Sequence, residues 1–488
     1  MKRLALSLTL IGAVVFAGPA MAASDGSVTM QADDSMVAQQ NNAAPAVEPN
    51  APAAKQLEAE EPFARPAFSQ FGITNKFPDK PATGPLAPVG NWLMNHGILA
   101  KLPVWWQMYA NPTEGSRPGQ FANLLWLQPS LQFDLDRMIG IPNARLHFEE
   151  EIHLLKKGTG SDPHTSFTGA SDSSLIGLEV RLSRVPNIMR RLSYEELFFG
   201  KRLDLEVGRM NLKQFFFEGD CDEKSMTCQL DPSFSMGLPP PAFSNWAGRG
   251  QWSITRDDYF QIGVSQIDPK AFTRKGWQWG AGTSTGDIVM AELVHKSSFA
   301  TTPYPTYVDF GGWSNRSSVT DPANAKLRAD TQSALALQGM QTVWRADGGA
   351  SNRGNVPHIN LFFQAVKDFS AYSFADSQVD VGGSYYGLLP KPFVFVGAKV
   401  TRISLTSAEQ QYLASQRHAA GGPNSFPNAS WYFELNSQLQ VGDAIIEPVF
   451  QYVVDPDTMN NPSVKQARSG IVLMVSTVFD LGKIFGLN

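Results

Sequence analysis

Cysteine is nearly absent from this chain: 488 residues carry two, Cys221 and Cys228. One pair with no adjacent histidine excludes a zinc site, and the spacing is not the C-x-x-C of a redox centre. Charge is sparse as well, at 17%, against about 25% in soluble domains. No basic tract marks a nucleic-acid partner, and the formal net charge is −5. Beyond the first residues there is no run of about 18 apolar side chains, so no membrane-spanning helix is expected. Metalloprotease, P-loop and dinucleotide fingerprints are missing too, and no cofactor or metal is expected. Carboxylates are plentiful, but no pair stands out as the acid and base of a glycosidase.

What is present begins at Met1. Lys2 and Arg3 precede an apolar stretch, Leu4 to Phe16, and Ala20-Met21-Ala22 is an A-x-A cleavage signal. Residues 1–22 thus read as a secretory signal peptide cut after Ala22. Export leads to an oxidising compartment, where Cys221 and Cys228 are expected to form a disulfide around Asp222 to Thr227. Residues 23–65 are rich in Ala, Pro, Gln, Asn and acids, with almost no aromatic or β-branched side chains. They offer too little apolar surface to offset ordering entropy, and a disordered tether is expected.

The pattern changes over 66–488. Leu131, Phe133 and Leu135 alternate with Gln132, Asp134 and Asp136; Leu203, Leu205 and Val207 with Asp204, Glu206 and Gly208. Phe260, Ile262 and Val264 alternate with Gln261, Gly263 and Ser265. From Arg145 to Leu154, His147, Glu149, Glu151 and His153 share one face, and Glu150 breaks the apolar other. Period two means strands, and one apolar face opposite a charged one suits lipid outside and a wet lumen inside. A soluble antiparallel sheet alternates too. The signal peptide favours a membrane barrel, as do Trp126, Trp252 and Trp431 at or near strand starts, where an interfacial girdle belongs. The fold expected is an all-β, transmembrane antiparallel β-barrel in the outer membrane of a Gram-negative cell. At roughly ten residues per strand, 16 to 18 strands fit, enough to leave an aqueous channel.

Two motifs suggest other chemistry. Gly282-Thr283-Ser284-Thr285-Gly286 matches G-x-S-x-G, but a strand-like run follows where a nucleophile elbow needs a helix. His147, Glu149, Glu151 and His153 are metal-ligand types, yet alternate residues on one strand spread along it, and a polar wall is the better reading.

Several segments together resemble the carbohydrate-selective porin family, the OprB family. They are Gly90-Asn91-Trp92-Leu93 with His96-Gly97-Ile98, Tyr194-Glu195-Glu196, Leu203 to Met210, and Ser244 to Gly250. Gly383 to Pro390, Gly397 to Ser404 and Ile446 to Val453 extend the likeness, which runs from about residue 89 to 480. Asn91 stands where the family usually has an acid, and the chain passes Phe479 to end at Asn488. The resemblance implies a barrel of sixteen strands and passive diffusion of glucose-like sugars. Candidate lumen contacts for sugar are His147, Glu149, Glu151, Glu206, Arg209 and Gln261. Arg209 lies in the matched Val-Gly-Arg-Met tract but shares parity with Leu205 and Val207, so facing inward requires a bulge or the strand end. Partners implied are permeating sugars and the lipid and lipopolysaccharide of the outer membrane; a homo-oligomer is compatible. A non-selective general porin and a soluble periplasmic hydrolase using Ser284 are the alternatives.

Overall fold

The computed structural model describes residues 77–488 except 79, 160–161, 163, 174–186, 218–236, 239–243 and 271–274. The expected signal peptide, the tether 23–65 and the Cys221–Cys228 pair lie outside the described residues.

In chain order the strands are β1 (Ile98–Lys101), β2 (Pro103–Asn111), β3 (Gln120–Leu127), β4 (Ser130–Asp134), β5 (Ala144–Lys157), β6 (Asn187–Phe198), β7 (Leu203–Met210), β8 (Asn245–Ser253), β9 (Asp258–Ile267), β10 (Gly286–Lys296), β11 (Thr306–Asn315), β12 (Val319–Thr320), β13 (Arg328–Ala329), β14 (Gln332–Arg345), β15 (His358–Asp368), β16 (Ala375–Tyr386), β17 (Phe393–Leu405), β18 (Ala429–Val441), β19 (Ala444–Val454) and β20 (Gly470–Asp480). Proline interrupts two staves. β1 and β2 are two lengths of one stave, parted at Leu102-Pro103; β3 and β4 are parted at Gln128-Pro129. Proline brings no N–H to a ladder. All pairings are antiparallel, and β2 meets β20 from Pro103↔Asp480 to Ala110↔Leu473, which closes a ring of sixteen staves. β12 and β13 form a separate hairpin within the β11–β14 connection.

Alternation determines what each face meets. In β9, Phe260, Ile262 and Val264 are exposed while Gln261 and Ser265 are buried inside. Leu335 and Leu337 of β14, Leu361 and Phe363 of β15, and Val379 and Val381 of β16 continue the apolar band. Aromatic rings edge it: Phe121, Trp246 and Trp431 near one rim, Trp252 and Trp344 near the other. Trp126 departs from the expected girdle. It is 4% exposed and points inward with Leu124, stacked on Trp105 at 5.6 Å. Period two puts it there: both faces of β3 are apolar, because an inward-folded segment covers the inner one. Glu150 stays on the outer face at a register shift, where Asn187 Nδ2 donates to its Oε1 at 2.7 Å.

The two rims differ. The connections after β2, β5, β7, β9, β17 and β19 emerge at one rim and are mostly long; at the other, Gly442-Asp443 alone joins β18 to β19. Gly442 has φ 61°, as the first place of a II′ hairpin turn demands. At this short-turn rim the helix Ala87–Asn95 packs against the terminal helix Leu481–Phe485. Leu86 N–H donates to Phe485 O at 2.8 Å, and a Cβ on Gly90 would lie 2.0 Å from Gly486 O. Asn91 both accepts from Ala82 N–H (2.8 Å) and donates to Ala82 O (3.2 Å), which the family's usual acid could not do.

Candidate functional site

Staves β5 to β8 aim their inward side chains at one another. Pairing sets Glu149 opposite Arg191, Glu195 opposite Glu206, and Glu206 opposite Arg249. Arg191 Nη2 lies 2.6 Å from Glu206 Oε1, and its Nη1 lies 3.5 Å from Glu149 Oε1. Arg249 reaches Glu206 Oε2 at 3.1 Å and Asp204 Oδ2 at 2.8 Å. His147 Nε2 is 2.8 Å from Glu195 Oε2, and Glu151 is shared between His153 (2.8 Å) and Arg190 (2.6 Å). Two acids facing across a ladder repel; Arg249, touching Glu206 and Asp204 and 4.0 Å from Glu195, offsets that repulsion.

A segment folds in over this wall. After β7, Asn211 caps a single 3-10 turn, Leu212–Gln214, by accepting from Lys213 N–H at 2.9 Å. Phe215 follows, with Arg249 over its ring at 4.3 Å and Arg191 at 5.2 Å. Gln261 donates to Phe215 O and to Glu292, Phe217 N–H donates to Glu292 Oε2 at 2.8 Å, and the Phe217 ring meets Trp313 edge-on at 5.2 Å. Gly263 makes room: a Cβ there would lie 2.9 Å from the Phe216 ring. Across the lumen the wall is made of amides and acids. Gln451 and Asn436 donate to Glu434, Gln438 to Glu447, Gln338 to Asp309, and Gln378 to Asp380. Lys399 stands between Gly382 and Glu434 in register.

Five of the six residues expected from sequence lie in this lining. His147, Glu149, Glu151 and Glu206 belong to the arginine-bridged wall, and Gln261 anchors the inward segment. Arg209 is placed elsewhere, buried at the end of β7. It lies opposite Trp246 with its guanidinium 5.8 Å from that ring, and donates to Ser244 O at 2.6 Å. Gly208 before it has φ 152°, and a Cβ there would lie 2.4 Å from Leu192 O, so only glycine fits this irregular step. Arg249 occupies the position facing Glu206. Sequence reasoning missed Arg191, Glu195, Asp204, Arg249 and Phe215. Glu195 and Arg249 lie inside segments already matched to the family, and their parity would have found them. Ser284 sits in the β9–β10 connection, donating to Gly286 O at 2.8 Å and Ile267 O at 3.1 Å, with β10 following where an elbow would need a helix.

The inner face of the barrel is therefore lined by paired charges and amides, with a segment folded in against it. The model of the carbohydrate-selective porin, OprB family, matches residues 119–481. The chain belongs to the carbohydrate-selective porins. Among solved structures this porin is similar to a high-pH structure of Pseudomonas putida OprB, with 17% identity and TM-score 0.67 over 80% of this chain and 96% of that one. An anion-selective porin from Comamonas acidovorans gives 9% identity and TM-score 0.42, over 79% and 99%. No curated protein matches the sequence. The porin is an outer-membrane carbohydrate channel and not an enzyme, which removes the reading of a soluble hydrolase.

Proposed function

We propose that the porin passes neutral, glucose-sized sugars passively into the periplasm along the wall of β5 to β8. The observation that carries this is the pairing of the wall itself. Arg191 and Arg249 are each matched by carboxylates and laid over Phe215, so neither guanidinium stands as an unmatched cation and the wall offers fixed donors and acceptors. A sugar presents hydroxyls that donate and accept, and C–H faces that pack on a ring. Each contact is matched by another further along, so binding is strong enough to admit the solute and weak enough to release it. His147, Glu149, Glu151 and Glu206 are the proposed contacts, with Gln261 holding the constriction in place. The long connections face the exterior and its lipopolysaccharide, the short turns the periplasm.

Single-channel recording tests the reading. Glucose is expected to reduce ion current in a concentration-dependent way, and Glu206→Gln to weaken that block by roughly tenfold, the effect of about 1.4 kcal/mol. Liposome swelling at equal rates for glucose and for an amino acid of similar size would instead make it a general porin.

A further inference from the structure

At the long-loop rim, three connections lock together around buried carboxyl groups. Glu114 lies in the β2–β3 connection, Asp172 follows the helix Phe167–Ser171, and Asp457 lies between β19 and β20; all three are 0% exposed. Ser171 Oγ donates to Glu114 Oε1 at 3.2 Å, and Ser116 N–H donates to Asp172 Oδ2 at 2.7 Å. Tyr432 OH donates to Asp457 Oδ2 at 3.0 Å and lies 2.5 Å from Ser173 Oγ. The backbones interlock as well. Gly115 and Arg468 exchange N–H···O bonds of 2.9 and 3.1 Å, and Ser116 N–H donates to Ala170 O at 3.0 Å. Asn460 Nδ2 donates to Ser173 O at 2.9 Å, and a Cβ on Gly115 would lie 2.1 Å from Ala170 O.

The remaining oxygens, Glu114 Oε2 and Asp172 Oδ1, are buried without a hydrogen-bond partner. The charged and titratable groups facing them are mostly acidic. Glu114 faces Asp172, Asp457 and the Tyr432 phenol; Asp172 faces Arg117; Glu409, on the helix Ser407–Ala419, faces Asp457 and Asp321. Such a set cannot all ionise out of water. Among the described residues no three His, Cys, Asp or Glu side chains converge as a metal site would need. A proton on each orphan oxygen meets the requirement.

We propose that Glu114 and Asp172 form a proton-operated latch that pins the helix Phe167–Ser171 against the channel wall at β2 and β3. The Phe167 ring lies 5.7 Å from that of Tyr109, which points inward from β2. Burial raises both carboxyls, Asp172 to about 7 and Glu114 well above the ordinary range. The latched form then holds protons that the released form gives up. The latch is firm in acid and weakens as pH climbs from the usual carboxylate range through about 7. Release frees the helix from the inward face of β2 and β3, on the lumen side, where it obstructs passage.

The test is bilayer recording of the full chain at about pH 5 and about pH 8, together with hydrogen exchange of 164–173 corrected for intrinsic rates. In the wild type, closing events and exchange are expected to rise roughly tenfold from the lower to the higher pH; in Glu114→Gln/Asp172→Asn they stay within about twofold. Where the double variant does not form an SDS-resistant barrel, Asp172→Asn alone is held to the same criterion. Equal closing frequency at both pH values in the wild type, or a variant that follows the wild-type pH dependence, overturns the latch. Loss of sugar block with the latch intact would count against the transport reading instead, so the two failures are distinguishable.

Discussion

Arg249 joins three things at once: Glu206, Asp204 and the face of Phe215. Removing it leaves two buried acids of β7, Asp204 and Glu206, without their shared cation. Arg249→Ala is expected to cost about 3 kcal/mol, read as a lower temperature at which the SDS-resistant barrel unfolds. Arg249→Lys keeps the charge, loses the two-armed geometry, and should fall between. At this scale much of the site was legible. Parity alone sends His147, Glu149, Glu151, Glu206 and Gln261 inward, and all five are buried there. Parity fails where the backbone steps out of register. Arg190 and Arg191 are both buried beside the Glu149/Glu150 shift, whereas Arg209 keeps register opposite the outward Trp246 and is buried at the end of β7. Nothing in a one-dimensional pattern marks a bulge.

Strands and loops carried different amounts of information. The strands were readable because lipid and water impose opposite demands on their two faces, and a charge on the outer face tests this. Val381→Arg, mid-stave on β16, is expected to cost about 2–4 kcal/mol in the same heating assay. Ser284→Ala should leave transport unchanged. The segment Leu212 to Phe217 was not readable, since its path depends on contacts with β9, β10 and β11 far along the chain. Its one local sign is Phe215-Phe216-Phe217, three rings just past a strand end, where an exposed loop would be polar. Phe217→Ala removes the Trp313 contact. It is expected to loosen the constriction, raising single-channel conductance while lowering the ratio of glucose to disaccharide flux in liposome swelling.

For the whole molecule, the sum of the lining matters more than any pair. Glu149, Glu151, Glu195, Asp204, Glu206, Glu292, Asp309, Asp380, Glu434 and Glu447 point inward, against Arg190, Arg191, Arg249, Lys213 and Lys399. An excess of acid in a narrow channel concentrates cations, and salt screens the effect. A reversal potential measured across a KCl gradient should show preference for potassium, weakening as ionic strength rises; preference for chloride would contradict it. Chain length had indicated 16 to 18 staves, and the ring closes at sixteen because prolines divide two staves without adding any.

The seam between Pro103 and Asp480 joins the first stave to the last. The ring therefore cannot be shut until β20 has been delivered. Until then, fifteen staves' worth of lipid-loving faces have no membrane-ready form, and the polypeptide must be carried across the periplasm by something that keeps it from aggregating. Deleting 470–488 would leave β2 and β19 each with a bare edge, and the product should be degraded instead of appearing as an SDS-resistant barrel. Closure through β20 makes that strand an assembly checkpoint: a chain lacking it cannot become a closed pore.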